Sequence, residues 1–257
     1  MTLVIDPQLA WLFGGIVGVL ATATVTGRVL RIRAATVATA TIANLEARIA
    51  SWWLMTAVFA AAILTGRAGA LLLFALVSFL ALREFMTVTP TRRGDHRTIF
   101  YAFFAGIPLQ YWLIGIDWYG LFSILIPVYA FLYIPTRSAL SGDTERFLER
   151  IAEIQWGLMV CVYCVSHAPA LLMLDIPGYE TENAKLLFFL VLIVQASDVL
   201  QYLFGKTLGR RPIAPNVSPN KTWEGFAGGV AASSALGAAL YWVTPFSPLA
   251  AAGMSLL

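Results

Sequence analysis

Apolar stretches of membrane-spanning length recur along the whole chain, and polar residues gather in short intervals between them. The stretches cover residues 9–25, 51–65, 68–82, 99–114, 118–134, 151–174, 186–204 and 225–243, and the apolar tail 249–257 begins a ninth. Backbone groups inside lipid must be satisfied within the segment, so stretches of this kind are helices. The ten-residue alternation of a transmembrane barrel is absent. The pattern predicts an all-α integral membrane protein, a polytopic bundle of about eight to nine transmembrane helices. No long linker, low-complexity tract or internal repeat divides residues 1–257, so a single transmembrane domain is the expectation.

Composition agrees: 59% of residues are hydrophobic and 12% charged, about half the charged share of a soluble domain. The charges also orient the bundle. Of 17 Lys and Arg residues, all but Arg67 and Lys185 fall in alternate intervals. Arg28, Arg31, Arg33 and Arg48 form the first group; Arg83, Arg92, Arg93 and Arg97 the second; Arg137, Arg146 and Arg150 the third. Lys206, Arg210, Arg211 and Lys221 form the fourth. The other intervals hold Asp117, Asp175, Glu180 and Glu182. By the positive-inside rule the basic intervals are cytoplasmic and the N-terminus is outside. The flank before residue 9 has no basic residue and carries Asp6, unlike a cleaved signal peptide. Cytoplasmic loops beside anionic lipid account for the net charge of +3, and no nucleic-acid partner is implied.

Several local patterns look chemical and carry little. Cys161, Cys164 and His167 have the spacing of part of a metal site, but steps of three drift around a helix and no second ligand cluster exists. Packing residues are the expectation. Gly205-Lys206-Thr207 imitates the end of a phosphate-binding loop, yet Leu200 stands where its first Gly belongs. The run SGDTERFLER, residues 141–150, reads as a short surface helix capped by Ser141 or Asp143.

Asp198 is different. It lies inside the seventh stretch, where an ionisable residue is costly and marks a functional site by default. Helical spacing puts Gln195, Asp198 and Gln201 or Tyr202 on one face. The polar run NVSPNKTWEGFAGG, residues 216–229, follows. Ser218-Pro219 reads as a helix start, Ser as N-cap and Pro in the first turn. Such a start would aim free N–H groups and a positive dipole end at an anion, with Lys221 beside it. Asp198 supplies a carboxylate suited to Mg²⁺. Gly225 and Gly229 form a G-x-x-x-G face for close helix packing. Metal, ammonium and helix terminus together point to phosphate chemistry on a nucleotide or lipid.

The run from Ser197 to Gly229, S-D-V-L-Q-Y-L-F-G-K-x-x-G-R-R-x-x-A-P-N-V-S-P-N-K-T-W-E-G-x-x-G-G, resembles the phosphatidate cytidylyltransferase family (CDP-diacylglycerol synthases). Its most specific part is Ser218–Gly225. Upstream, the likeness rests on hydropathy and weaker similarity such as Leu82-Arg83-Glu84-Phe85. The resemblance implies transfer of a cytidylyl group from CTP to phosphatidate, with Mg²⁺ as cofactor, at the cytoplasmic face of the inner (plasma) membrane. A homodimer contacting membrane lipids is also implied. Asp198, Lys221 and Ser218 are the catalytic candidates. Asn220, Thr222, Arg210, Arg211, Tyr202 and Gln201 are the substrate-binding candidates. Asp198 and Glu224 are the metal candidates, Glu224 alternatively complementing the helix start. The family's second signature, with His-Gly-Gly and Asp-Arg-x-Asp, does not occur in these residues. The chain is therefore expected to be C-terminally truncated relative to the family and not fully active alone. The rival readings are a transporter or membrane scaffold, with Asp198 gating a polar path, and a cytidylyltransferase for another lipid acceptor.

Overall fold

A computed structural model describes residues 7–33, 39–180 and 182–256. The chain is helical nearly throughout and divides into two compact units after Pro169. In the first unit, α1 (Pro7–Arg33), α2 (Thr39–Leu64) and α3 (Gly66–Val88) are continuous. Three interrupted helices follow. A π-helical turn, Ala102–Gly106, joins α4 (His96–Tyr101) to α5 (Ile107–Gly115). A second, Leu125–Ala130, joins α6 (Tyr119–Ile124) to α7 (Phe131–Ala139). A third, Met159–Cys164, joins α8 (Phe147–Leu158) to α9 (Val165–Ala170). Pro127 lies within the second turn, where its missing N–H favours a local slip of register.

Seven helices among the described residues are long and apolar enough to cross a membrane, the last being α10 (Asn183–Leu208) in the second unit. This is an all-α polytopic membrane protein. The eighth expected stretch forms α11 (Trp223–Ala239), which has 17 residues and stops before a 3₁₀ turn at Tyr241–Val243. The expected ninth begins as the short α12 (Pro248–Met254).

The helices outrun the hydropathy windows at the first basic interval. Arg28, Arg31 and Arg33 continue α1 and Arg48 lies on α2, rather than in a loop. Arginine is a good helix former, and Arg31 pairs with Glu46 at 2.8 Å. The expected helix at 141–150 is a correction: turns run to Arg146, which sits at φ 49°, and α8 begins at Phe147. Asp143 does not cap a helix there; it accepts from Arg92 Nε at 2.9 Å.

The two basic residues outside the alternate pattern both have acidic partners. Arg67 Nη1 donates to Asp117 at 2.9 Å, and Lys185 pairs with Glu182 at 3.1 Å. The Arg67 guanidinium holds the Asp117 carboxyl below the usual range. Pairing offsets the two exceptions to the charge asymmetry. Inside the first unit, Gln110 donates to Phe122 O and Ser166 Oγ, and Ser78 bonds Tyr111, so polar groups join helices within the apolar core. His167 packs on Tyr163 with ring centroids 4.5 Å apart; Cys161 is buried and Cys164 exposed.

Candidate functional site

The second unit brings the polar motif to the end of α10. After α10 the chain forms a small hairpin: β1 (Pro212–Ala214) pairs antiparallel with β2 (Ser218–Thr222), with Pro212 opposite Thr222 and Ala214 opposite Ser218. Val217 N donates to Ala214 O at 3.0 Å, closing a turn over Pro215-Asn216, residue types that favour such a reversal.

This geometry corrects the expected helix start. Ser218 and Pro219 lie in β2, and the helix begins at Trp223. A residue before proline is pushed toward extended backbone, and a two-stranded ribbon has open edges that tolerate Pro. Thr222 is the N-cap instead, its Oγ1 accepting from Gly225 N at 3.2 Å. The helix terminus is not left open for an anion either. Trp223 N donates to Arg211 O at 2.9 Å, and Gly225 N is held by Thr222. The groups left unengaged at this junction are therefore side chains of the hairpin and its approach.

Those side chains are available. Arg210, Arg211, Asn220 and Lys221 are exposed, and none of the four side chains makes a hydrogen bond or ion pair among the described residues, although the Arg211 charge acts on Glu224. Glu224 fastens the group to α11: its Oε2 accepts from Arg210 N at 3.0 Å and Arg211 N at 3.1 Å. These N–H groups hold the Glu224 carboxyl below its ordinary range. Of the two roles expected for Glu224, the geometry favours organising the helix start.

Glycines set the distance between α10 and α11. A Cβ on Gly225 would lie 2.7 Å from Gly205 Cα and 2.9 Å from Gln201 O; one on Gly229 would lie 2.3 Å from Gln201 Cγ. The G-x-x-x-G face thus packs as the spacing predicts. Gln201 belongs to this seam, its Nε2 donating to Ser197 Oγ at 3.1 Å. Tyr202 faces outward, its hydroxyl 3.4 Å from Lys206 Nζ. Gly225→Ala should cost about 1–3 kcal/mol, because the obstructing atoms are backbone and cannot rotate away. Thermal unfolding in detergent checks this, and a variant as stable as wild type would show that the seam is not tight.

Asp198 lies on α10 within about 20° of Gly205 around the axis and roughly 10 Å along it. It is exposed and has no hydrogen-bond partner among the described residues. No group of three or more His, Cys, Asp or Glu converges among those residues. A single carboxylate with both oxygens unengaged fits a magnesium ion that arrives on a polyphosphate; it does not make a resident metal cage.

A close-packed helix pair thus carries an exposed carboxylate on α10 and, at the helix ends, the exposed cations Arg210, Arg211 and Lys221. The chain belongs to the cytidylyltransferase family, whose model matches residues 46–257. It is 40% identical over 183 residues to the uncharacterized protein YnbB of Escherichia coli (strain K12), covering 71% of this chain and 59% of that one. It is 28% identical over 124 residues to the phosphatidate cytidylyltransferase of Bacillus subtilis (strain 168), 48% of this chain and 43% of that enzyme. Against the enzyme of that name from Mycobacterium leprae (strain TN), identity is 38% over 93 residues, 36% and 28% of the two chains. The chain therefore spans 59% or less of the length of each of these relatives. No solved structure matches it.

Proposed function

We propose that the protein carrying this chain transfers a cytidylyl group from CTP to phosphatidate, giving CDP-diacylglycerol and pyrophosphate. Cationic side chains without ion pairs at the hairpin and its approach, fastened by the helix seam to the end of the helix that carries Asp198, are the observation that carries this reading. Family membership supports the cytidylyl donor, and the two named enzymes support the acceptor. A phosphate oxygen of phosphatidate bonds to the α-phosphorus of CTP while the bond to the β-phosphate oxygen breaks, and that oxygen departs with pyrophosphate. No protein nucleophile is needed, so positioning and charge neutralisation carry the catalysis. Lys221, Arg210 and Arg211 neutralise phosphate charge. Ser218 and Asn220 offer hydrogen bonds to phosphate oxygens, and Thr222 and Glu224 hold the hairpin against α11. Asp198 would hold a magnesium ion, which would supply neutralisation of phosphate charge. The site faces the cytoplasm and the N-terminus lies outside, in accord with the basic intervals; a homodimer in the plasma membrane completes the reading.

Purified protein in detergent should release pyrophosphate from CTP only when phosphatidate is present, with CDP-diacylglycerol appearing in equal amount. Silence with every acidic phospholipid would sink the transferase reading and leave the transporter or scaffold. The two named enzymes align over 48% and 36% of this chain, so the acceptor is tested separately. A panel of phospholipid acids in the same assay separates the acceptors.

A further inference from the structure

Two tyrosines mark where α4 and α7 meet. The rings of Tyr101 and Tyr133 pack edge to face with centroids 5.9 Å apart. Arg97 precedes Tyr101 by four residues, and Arg137 follows Tyr133 by four. Side chains four apart stack on one helix face, about 5–6 Å from each other. Both guanidiniums therefore stand one turn beyond the tyrosine pair. They share one end of their spans, Arg97 near the start of Arg93–Gly115 and Arg137 near the end of Tyr119–Ala139.

The two cations at this seam meet no anionic partner among the described residues. Neither arginine side chain has a partner among the described residues. The adjacent hydroxyls, Thr98 Oγ1 and Ser138 Oγ, are buried without one as well. Of the acids around them, Asp95 pairs with Arg150, Asp143 and Glu145 with Arg92, and Glu149 with Arg146; Glu153 on α8 makes no ion pair with either arginine among the described residues. Below the arginines, Phe100, Phe104 and Leu132 are each more than half exposed, and the rings of Phe100 and Phe104 lie 4.7 Å apart. A free anion would answer the charges and leave this apolar surface bare. A phospholipid answers both, and two cations without an acid favour a headgroup of net negative charge over one that brings its own ammonium.

We propose that the α4–α7 seam is a binding site for an anionic phospholipid, its phosphate on Arg97 and Arg137 and its acyl chains along Phe100, Phe104 and Leu132. The lipid covers the apolar face while the long arginine side chains reach to headgroup level. The assignment is independent of the transferase reading, and its test measures lipid retention instead of turnover.

Native mass spectrometry of the purified protein, titrated with dioleoylphosphatidylglycerol or dioleoylphosphatidylcholine, decides it. Wild type should retain phosphatidylglycerol preferentially. The double variant Arg97→Gln/Arg137→Gln should weaken retention by about tenfold or more, since hydrogen bonds to charged groups are stronger than those to neutral ones. Arg97→Lys/Arg137→Lys, which keeps the charge, should retain most of the binding, and millimolar inorganic phosphate should not displace the lipid. A thermal midpoint raised by phosphatidylglycerol in wild type and not in the Gln variant, with equal midpoints without lipid, separates lost binding from lost folding. Retention of phosphatidylglycerol by the Gln variant at wild-type strength would overturn the proposal. So would equal retention of phosphatidylcholine, or displacement by phosphate, which would mark a site for the free anion.

Discussion

Asp198→Asn should lower CTP-dependent cytidylyl transfer by about three orders of magnitude or more, with the protein still inserted and helical. The side chains are nearly isosteric, so packing on α10 is preserved; what is lost is one negative charge and one anionic oxygen donor. No hydrogen bond among the described residues holds Asp198 in a structural role, so its removal leaves no orphaned partner. A charge lost from a site that stabilises the transition state costs several kcal/mol there, and each 1.36 kcal/mol is tenfold in rate. The readout is pyrophosphate release in detergent, with circular dichroism as the control for folding. Turnover at the wild-type rate would remove Asp198 from the mechanism. Loss of activity together with helicity would instead make it a packing residue.

The second large effect concerns stability. Arg150 and Asp95 are 3% and 1% exposed and form an ion pair between the first turn of α8 and the segment leading into α4. Arg150 Nε and Nη2 reach Asp95 Oδ1 at 3.1 and 2.9 Å, and Nη1 donates to Glu145 O at 2.6 Å. Asp95 Oδ2 accepts from Arg92 N at 3.0 Å. Arg150→Met strands a buried carboxylate and should cost about 3–5 kcal/mol. The double variant Asp95→Leu/Arg150→Met removes both charges and should cost less than the sum of the two single changes. Reversible unfolding in mixed micelles measures both. Additive losses would mean that the pair is not coupled.

Neither residue of that pair stood out in the sequence. Arg150 reads as one more basic residue in a cytoplasmic interval, and Asp95 as a minor acid among arginines. Their partnership crosses 55 positions and exists because the segments carrying them are packed together. The π-helical turns also leave no hydropathy signal, because the windows on both sides remain equally apolar.

Other features were readable. Bilayer burial is decided by about twenty consecutive residues whatever their neighbours, so the spans, the costly Asp198 and the cluster of Lys206, Arg210, Arg211 and Lys221 could be picked out locally. The Gly225 and Gly229 spacing also announced a close helix contact, because an absent side chain is a local fact. Ser218-Pro219 shows where local reading stops. The dipeptide satisfies both a helix N-cap and an extended strand, since Pro lacks the N–H that either the first helical turn or an open edge can spare. Pairing with Pro212–Ala214 selected the strand and moved the cap to Thr222. With that move the N–H groups of Trp223 and Gly225 were taken by Arg211 and Thr222, and exposed side chains were the groups left unengaged. The sequence by itself thus determined which segments enter the membrane and which charged groups are present, because solvation acts residue by residue. Tertiary structure decided which charges neutralise one another and which are left free for a substrate, because pairing depends on distances that only packing creates.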